Sequence, residues 1–134
     1  MKGLIWLLLA ALLSGCGGAP AETRGMAGEK DRLWYLEQMG REVQETPISV
    51  QEVRLPAEFP PVLTEYNRLQ RQQGFDLTRY AGKEVTVYTY ELRGDTNGQL
   101  LFASLYQYKG RIVGGDVHSA ALSGYMGPIA AENG

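Results

Sequence analysis

Cysteine occurs once in the 134 residues, and no apolar run approaches the length of a membrane span. A lone cysteine excludes an intrachain disulfide and a cysteine-rich zinc site. A helix needs about 20 apolar residues to cross a bilayer, and the longest run here, Leu4 to Leu13, has ten. Charge of one sign is also missing: 13 basic side chains face 15 acidic ones, a formal net charge of −2, which gives no electrostatic case for nucleic acid. Neither a collagen-like chain nor a wholly disordered acidic tail fits the composition. What is present, 44% hydrophobic and 21% charged residues, suits one soluble globular domain.

The short apolar run has its own meaning. Met1-Lys2-Gly3 supplies a positive start, Leu4 to Leu13 an apolar core, and Leu13-Ser14-Gly15-Cys16 a branched residue, two small residues and a cysteine. The pattern resembles a bacterial lipoprotein signal peptide with its lipobox. That resemblance implies cleavage between Gly15 and Cys16 and a diacylglyceryl anchor, with palmitate among its acyl chains, on the Cys16 thiol. Two acyl chains at one residue suffice for stable anchoring, and the thiol is then lost to catalysis. Without Lys2 the chain keeps 12 basic and 15 acidic groups, a formal charge of −3, so its surface has no polybasic attraction to anionic lipid. The expected location is the outer face of the cell membrane.

The expected organisation is a signal peptide over 1–15, a lipidated cysteine and tether over 16–29, one domain over 30–129, and a frayed tail over 130–134. The tether, Gly17 to Glu29, is small, polar and aperiodic, with a reach of roughly 20 Å. Asp31 to Met39 reads as a helix stopped by Gly40, and Ile48 to Leu55 as a strand between prolines. Val62, Tyr66, Leu69 and Gln73 recur at helical spacing within Pro60 to Gln73, and Gly74 ends that helix. Phe75 to Gly82 is a connector with room for one helical turn.

Three strands follow, Glu84 to Leu92, Leu100 to Tyr108 and Arg111 to Val117, joined by Gly94 to Gly98 and by the two-residue turn Lys109-Gly110. The expected class is α+β: a C-terminal three-strand meander plus one earlier strand, packed with two helices.

Alternation sorts the meander into an aliphatic face (Val85, Val87, Thr89, Leu101, Ala103, Leu105) and an aromatic one (Tyr88, Tyr90, Leu92, Phe102, Tyr106, Tyr108). Two helices are expected to cover one face of so small a sheet. If the aromatic face is open, Tyr88, Tyr90, Phe102, Tyr106 and Tyr108 form a binding surface for wall glycan, peptide or a partner chain. If it is covered, the rings are core, since tyrosine is favoured in strands anyway.

The segment most like an active site is Gly114-Gly115-Asp116-Val117-His118-Ser119. On an extended chain Asp116 and His118 share a face, where a carboxyl and an imidazole can share a proton or a metal. A hydrolase also needs a nucleophile, and a metal site needs further ligands. The sequence has no Gly-x-Ser-x-Gly elbow, no His-Glu-x-x-His and no phosphate-binding glycine loop. The simpler reading makes Gly114-Gly115 a bulge or tight bend, Asp116 a cap on backbone N–H groups there, and His118 a surface side chain. No catalytic residue, metal ligand or cofactor is assigned.

Several blocks occur in order: Leu55-Pro56 with Phe59, Tyr66-Asn67-x-Leu69-Gln70, Gln73-Gly74-Phe75-Asp76-Leu77, Tyr80-x-Gly82-Lys83, Tyr88-Thr89-Tyr90, Ile112-Val113-Gly114-Gly115-Asp116 and Leu122-x-Gly124-Tyr125-Met126. Together they resemble the Firmicutes envelope family known as domain of unknown function 4830, over about Asp31 to Met126. The resemblance implies an extracytoplasmic domain on a lipid or single-span anchor and carries no activity with it. The expectation is a non-catalytic interaction or accessory module of the cell envelope. Its partners are the membrane, through the lipid, and an envelope protein or wall ligand; nucleic acid is not among them.

Overall fold

The computed structural model describes residues 28–94, 96–121 and 124–132, so Gly15, Cys16 and most of the tether lie outside the described residues. Helix α1 spans Glu29–Gln38. Asp31, where the sequence reading begins this helix, lies two residues inside it. It sits in the first turn, where its carboxylate accepts the Gly28 N–H at 3.3 Å and meets the positive end of the helix. Gly40, at φ +81°, ends the helix in the left-handed region that glycine enters without steric cost.

Five strands follow in chain order: β1 (Ser49–Arg54), β2 (Glu84–Glu91), β3 (Leu101–Tyr108), β4 (Arg111–Ser119) and β5 (Met126–Gly127). They form one antiparallel sheet in that same order. The α+β class holds, and β5 extends the expected four strands by pairing Val117 with Gly127 and His118 with Met126. Helix α2 (Pro61–Gln72) and a 3-10 turn (Leu77–Tyr80) connect β1 to β2. Lys109 and Gly110 both take positive φ, 48° and 78°, which matches the twist of the β3–β4 hairpin. A register shift opposite Tyr106 and Gln107 bulges β4 just before Gly114.

Pairing across the strands corrects the expected faces. Val87 lies opposite Tyr106 and Thr89 opposite Ser104, whereas Tyr88 lies opposite Leu105 and Tyr90 opposite Ala103. Tyr88 and Tyr90 therefore share a face with Leu101, Ala103 and Leu105. Phe102, Tyr106 and Tyr108 share the other face with Val85 and Val87. Alternation within a strand is legible in sequence, but a shift of one residue between strands exchanges the faces.

One helix packs on each face, and α2 covers only part of the second. Tyr35 and Leu36 of α1 pack with Tyr90, Ala103, Leu105 and Val117 on the first face. Arg32 of α1 joins them. Its guanidinium lies 3.6 Å from the Tyr88 ring centroid, and it donates to the Tyr90 hydroxyl at 3.0 Å and to Gln107 Oε1 at 3.2 Å. Such a buried cation–π contact is worth about 2 kcal/mol. On the second face Leu77 and Tyr80 pack with Val85 and Val113, and Tyr66 of α2 joins from the edge.

Beyond β5 the chain ties both helices together. Arg41 Nε donates to the Ile129 carbonyl at 2.7 Å, Ala131 N–H bonds the Met39 carbonyl at 2.8 Å, and Ile129 N–H bonds Gln73 Oε1 at 2.8 Å. Ala130 and Ala131, expected to fray, belong to this strap.

Candidate functional site

The inward side of α2 is polar. Its buried residues are Asn67 and Gln70, while Val62, which the helical spacing turned toward the core, is 78% exposed. Asn67 accepts the Leu77 N–H at 2.7 Å and donates to Asp76 Oδ1 at 2.9 Å, fixing the 3-10 turn against the helix. Hydrogen bonds from Thr78 and Asn67 hold the Asp76 carboxyl below its ordinary value, against the opposing effect of burial.

Gln70 reaches further. Its Oε1 accepts the Gly115 N–H at 2.8 Å and its Nε2 donates to the Gly115 carbonyl at 2.9 Å, so one side chain occupies the place of a neighbouring strand. Gln73 gives the same carbonyl a second donor at 3.0 Å.

This approach explains the glycine pair. A Cβ on Gly115 would lie 2.5 Å from the Ser104 carbonyl oxygen and 2.6 Å from Ile129 Cδ1, and one on Gly114 would meet Leu77 and Gln70 at 3.0 and 3.1 Å. Neither glycine has a positive φ. The bulge is present, but lack of room rather than backbone conformation demands glycine here.

Next along β4, Asp116 is 3% exposed and does not cap backbone N–H groups as expected. The Tyr66 hydroxyl donates to its Oδ2, and His118 Nδ1 lies 2.6 Å from its Oδ1. Helix α2 and two alternate positions of β4 thus converge on one carboxyl group. Burial, reinforced by repulsion from Tyr106 and Asp116, pushes the Tyr66 phenol far above its ordinary value, so it remains a donor. The hydrogen bond to Asp116 raises the His118 imidazole above 6.5, outweighing the lowering effect of burial.

His118 is no free surface side chain: its side chain is 29% exposed and held by Asp116. Among the described residues no group hydrogen-bonds its Nε2, and no three His, Cys, Asp or Glu side chains cluster to hold a metal.

The second face opens beyond α2. Phe102 pairs with His118 across β3 and β4, and His118 pairs with Met126 across β4 and β5, so the three side chains stand in a row. The Phe102 and His118 rings are 5.7 Å apart, and Met126 is 53% exposed. At the same end of the sheet, Leu100 and Tyr125 line a hollow of about 420 Å³.

The five aromatic residues considered from sequence do not assemble. Tyr90 is fully buried, Tyr88 lies beneath Arg32, Tyr106 stands 6.1 Å from Tyr66, and Tyr108 stands 5.1 Å from Tyr80. Only Phe102 of the set joins the open row. Asp116 and His118 do come together, as their spacing on one strand required. Tyr66, Gln70 and Met126 were missed as neighbours, although all three fall within the sequence blocks noted above.

None of the described helices is long and apolar enough to cross a membrane. No curated protein and no solved structure matches the chain. The profile of domain of unknown function 4830 (DUF4830) does match it, over residues 35–117 from α1 through the Asp116 strand, and the chain belongs to that family.

Proposed function

We propose that this chain is a lipid-anchored lipoprotein of the cell envelope whose domain is a non-catalytic interaction module, offering the Phe102–His118–Met126 row to a protein partner. One observation carries the choice of surface: an aromatic ring, an oriented imidazole and a half-exposed thioether stand side by side on three adjacent strands. Aromatic and methionine side chains are enriched where proteins meet, and a row spread over three strands suits a partner surface better than a small ligand, which needs a concave pocket. The lipobox supports the anchoring, and tethering raises the local concentration of the module for other envelope proteins.

Two experiments test the reading. Cys16→Ala is expected to abolish incorporation of labelled palmitate, and retained label refutes the anchor. A photo-crosslinking residue at position 126 is expected to give a discrete adduct in living cells, whereas one at the still more exposed Val62 gives none. Adducts from neither position, or equally from both, refute the surface.

A second reading, a hydrolase or metal site at Asp116 and His118, draws on the 2.6 Å contact alone. A buried carboxyl on Nδ1 leaves Nε2 outward, as in a general base held by an orienting group. Its test is His118→Ala: the interaction reading expects the adduct from position 126 to weaken in a folded protein. Loss of a hydrolytic activity in that variant favours the second reading.

A further inference from the structure

Away from the Phe102–His118–Met126 row, a groove of about 500 Å³ runs between α1 and the C-terminal end of α2, with Pro128 and Ala130 in its lining. Its apolar lining comes from Trp34 of α1, from Met39 just past the end of that helix and from Phe75. The polar lining is Gln38, Gln72 and Gln73, so among the described residues no charged side chain borders it. Tyr35 also lines it, and burial pushes that phenol up to about 12, which keeps it neutral. Trp34 is 50% exposed although it sits on the element that covers the first face of the sheet.

We propose that this groove is the face on which the anchored domain rests against the bilayer, with Trp34 at the headgroup level. The proposal depends on lipidation at Cys16, and three observations favour lipid as the occupant. The first is distance. Twelve residues, Gly17 to Gly28, join Cys16 to the start of α1, with a reach of about 20 Å. Trp34 lies six residues further on, roughly 9 Å along the helix, so the groove belongs to the first element that the anchor brings to the membrane.

The second is charge. The processed chain carries −3, so it gains nothing from anionic headgroups, and a groove whose polar border is neutral amide brings no charge to a lipid boundary. The third is the indole itself, whose apolar body and single N–H suit the water–lipid interface. Such a contact is too small to hold a free protein, but a tethered one needs only a modest gain.

Cleavage before Cys16 removes Trp6 and leaves Trp34 as the single tryptophan, so intrinsic fluorescence reads the groove alone. The full processed lipoprotein is reconstituted into phosphatidylcholine vesicles, and flotation reports the anchor independently. The expected result is a blue-shifted Trp34 emission that is quenched by lipids brominated near the headgroup. Protein that floats while Trp34 stays open to aqueous quencher, and blind to brominated lipid, overturns the docking proposal and leaves the anchor standing.

Protein that fails to float overturns the anchor and the proposal with it. Shielding of Trp34 only when other envelope proteins are co-reconstituted overturns lipid in favour of a protein occupant. Gln38 and Gln72 are exposed, so Gln38→Glu with Gln72→Glu charges the border without touching the core. That variant is expected to float and melt as the parent does while losing lipid quenching. Undiminished quenching overturns the assignment of the groove.

Discussion

Gln70 and Gln73 meet at one peptide unit, and their sharing of it makes a quantitative prediction. The Gly115 N–H has one partner, Gln70 Oε1, whereas the Gly115 carbonyl has two, Gln70 Nε2 at 2.9 Å and Gln73 Nε2 at 3.0 Å. Methionine matches glutamine in length and flexibility without its polar atoms. Gln70→Met therefore orphans a buried N–H but leaves the carbonyl bonded, at a cost of about 1–3 kcal/mol. In a domain of this size that lowers Tm by about 4–8 °C per kcal/mol.

Gln73→Met similarly orphans the Ile129 N–H, whose acceptor is Gln73 Oε1 at 2.8 Å, and again leaves the carbonyl one donor. Only the double variant strips the carbonyl of both. Its loss is therefore expected to exceed the sum of the single losses by about 1 kcal/mol or more, where independent sites add to within about 0.3–0.5 kcal/mol. Urea unfolding of the four proteins of the cycle, with the slope m checked for constancy, measures the excess. Additive losses would show that the two amides do not share Gly115, and the account of how α2 is seated on β4 would fall.

Gly115→Ala is expected to cost about 1–3 kcal/mol through overpacking against the Ser104 carbonyl and Ile129. An unaltered unfolding midpoint would show that the strand has room to spare. The His118–Asp116 bond predicts a pH dependence of stability. Because His118 has a raised native pKa, its contribution is complete below the unfolded value of about 6.5 and is lost as pH rises through the native value. Urea midpoints across that window are expected to fall with pH in the parent and less in His118→Gln; a His118 imidazole titrating below 6.5 by NMR contradicts the bond. Tyr66→Phe removes one of the two bonds to the buried Asp116 and is expected to destabilise by about 1–3 kcal/mol, with a stability equal to the parent refuting the contact.

Local chemistry was legible in the sequence, and so were the elements it governs. Gly40 and Gly74 end helices because glycine enters positive φ freely, and Lys109-Gly110 closes a hairpin for the same reason. Asp116 and His118 share a face because strand residues two apart must. The family is recognisable in ordered blocks, and the expectation of a lipobox at Cys16 needs no fold at all.

Tertiary structure decided what depends on how distant segments meet. It set the β2–β3 register that divides the tyrosines, because a one-residue shift exchanges faces and nothing within either strand specifies it. It placed one helix on each face, and turned Asn67 and Gln70 inward while Val62 stayed out. Helical spacing finds apolar stripes, but here the buried side of α2 is made of amides, and they are stable there only because Gly115 and Leu77 offer backbone groups that need partners.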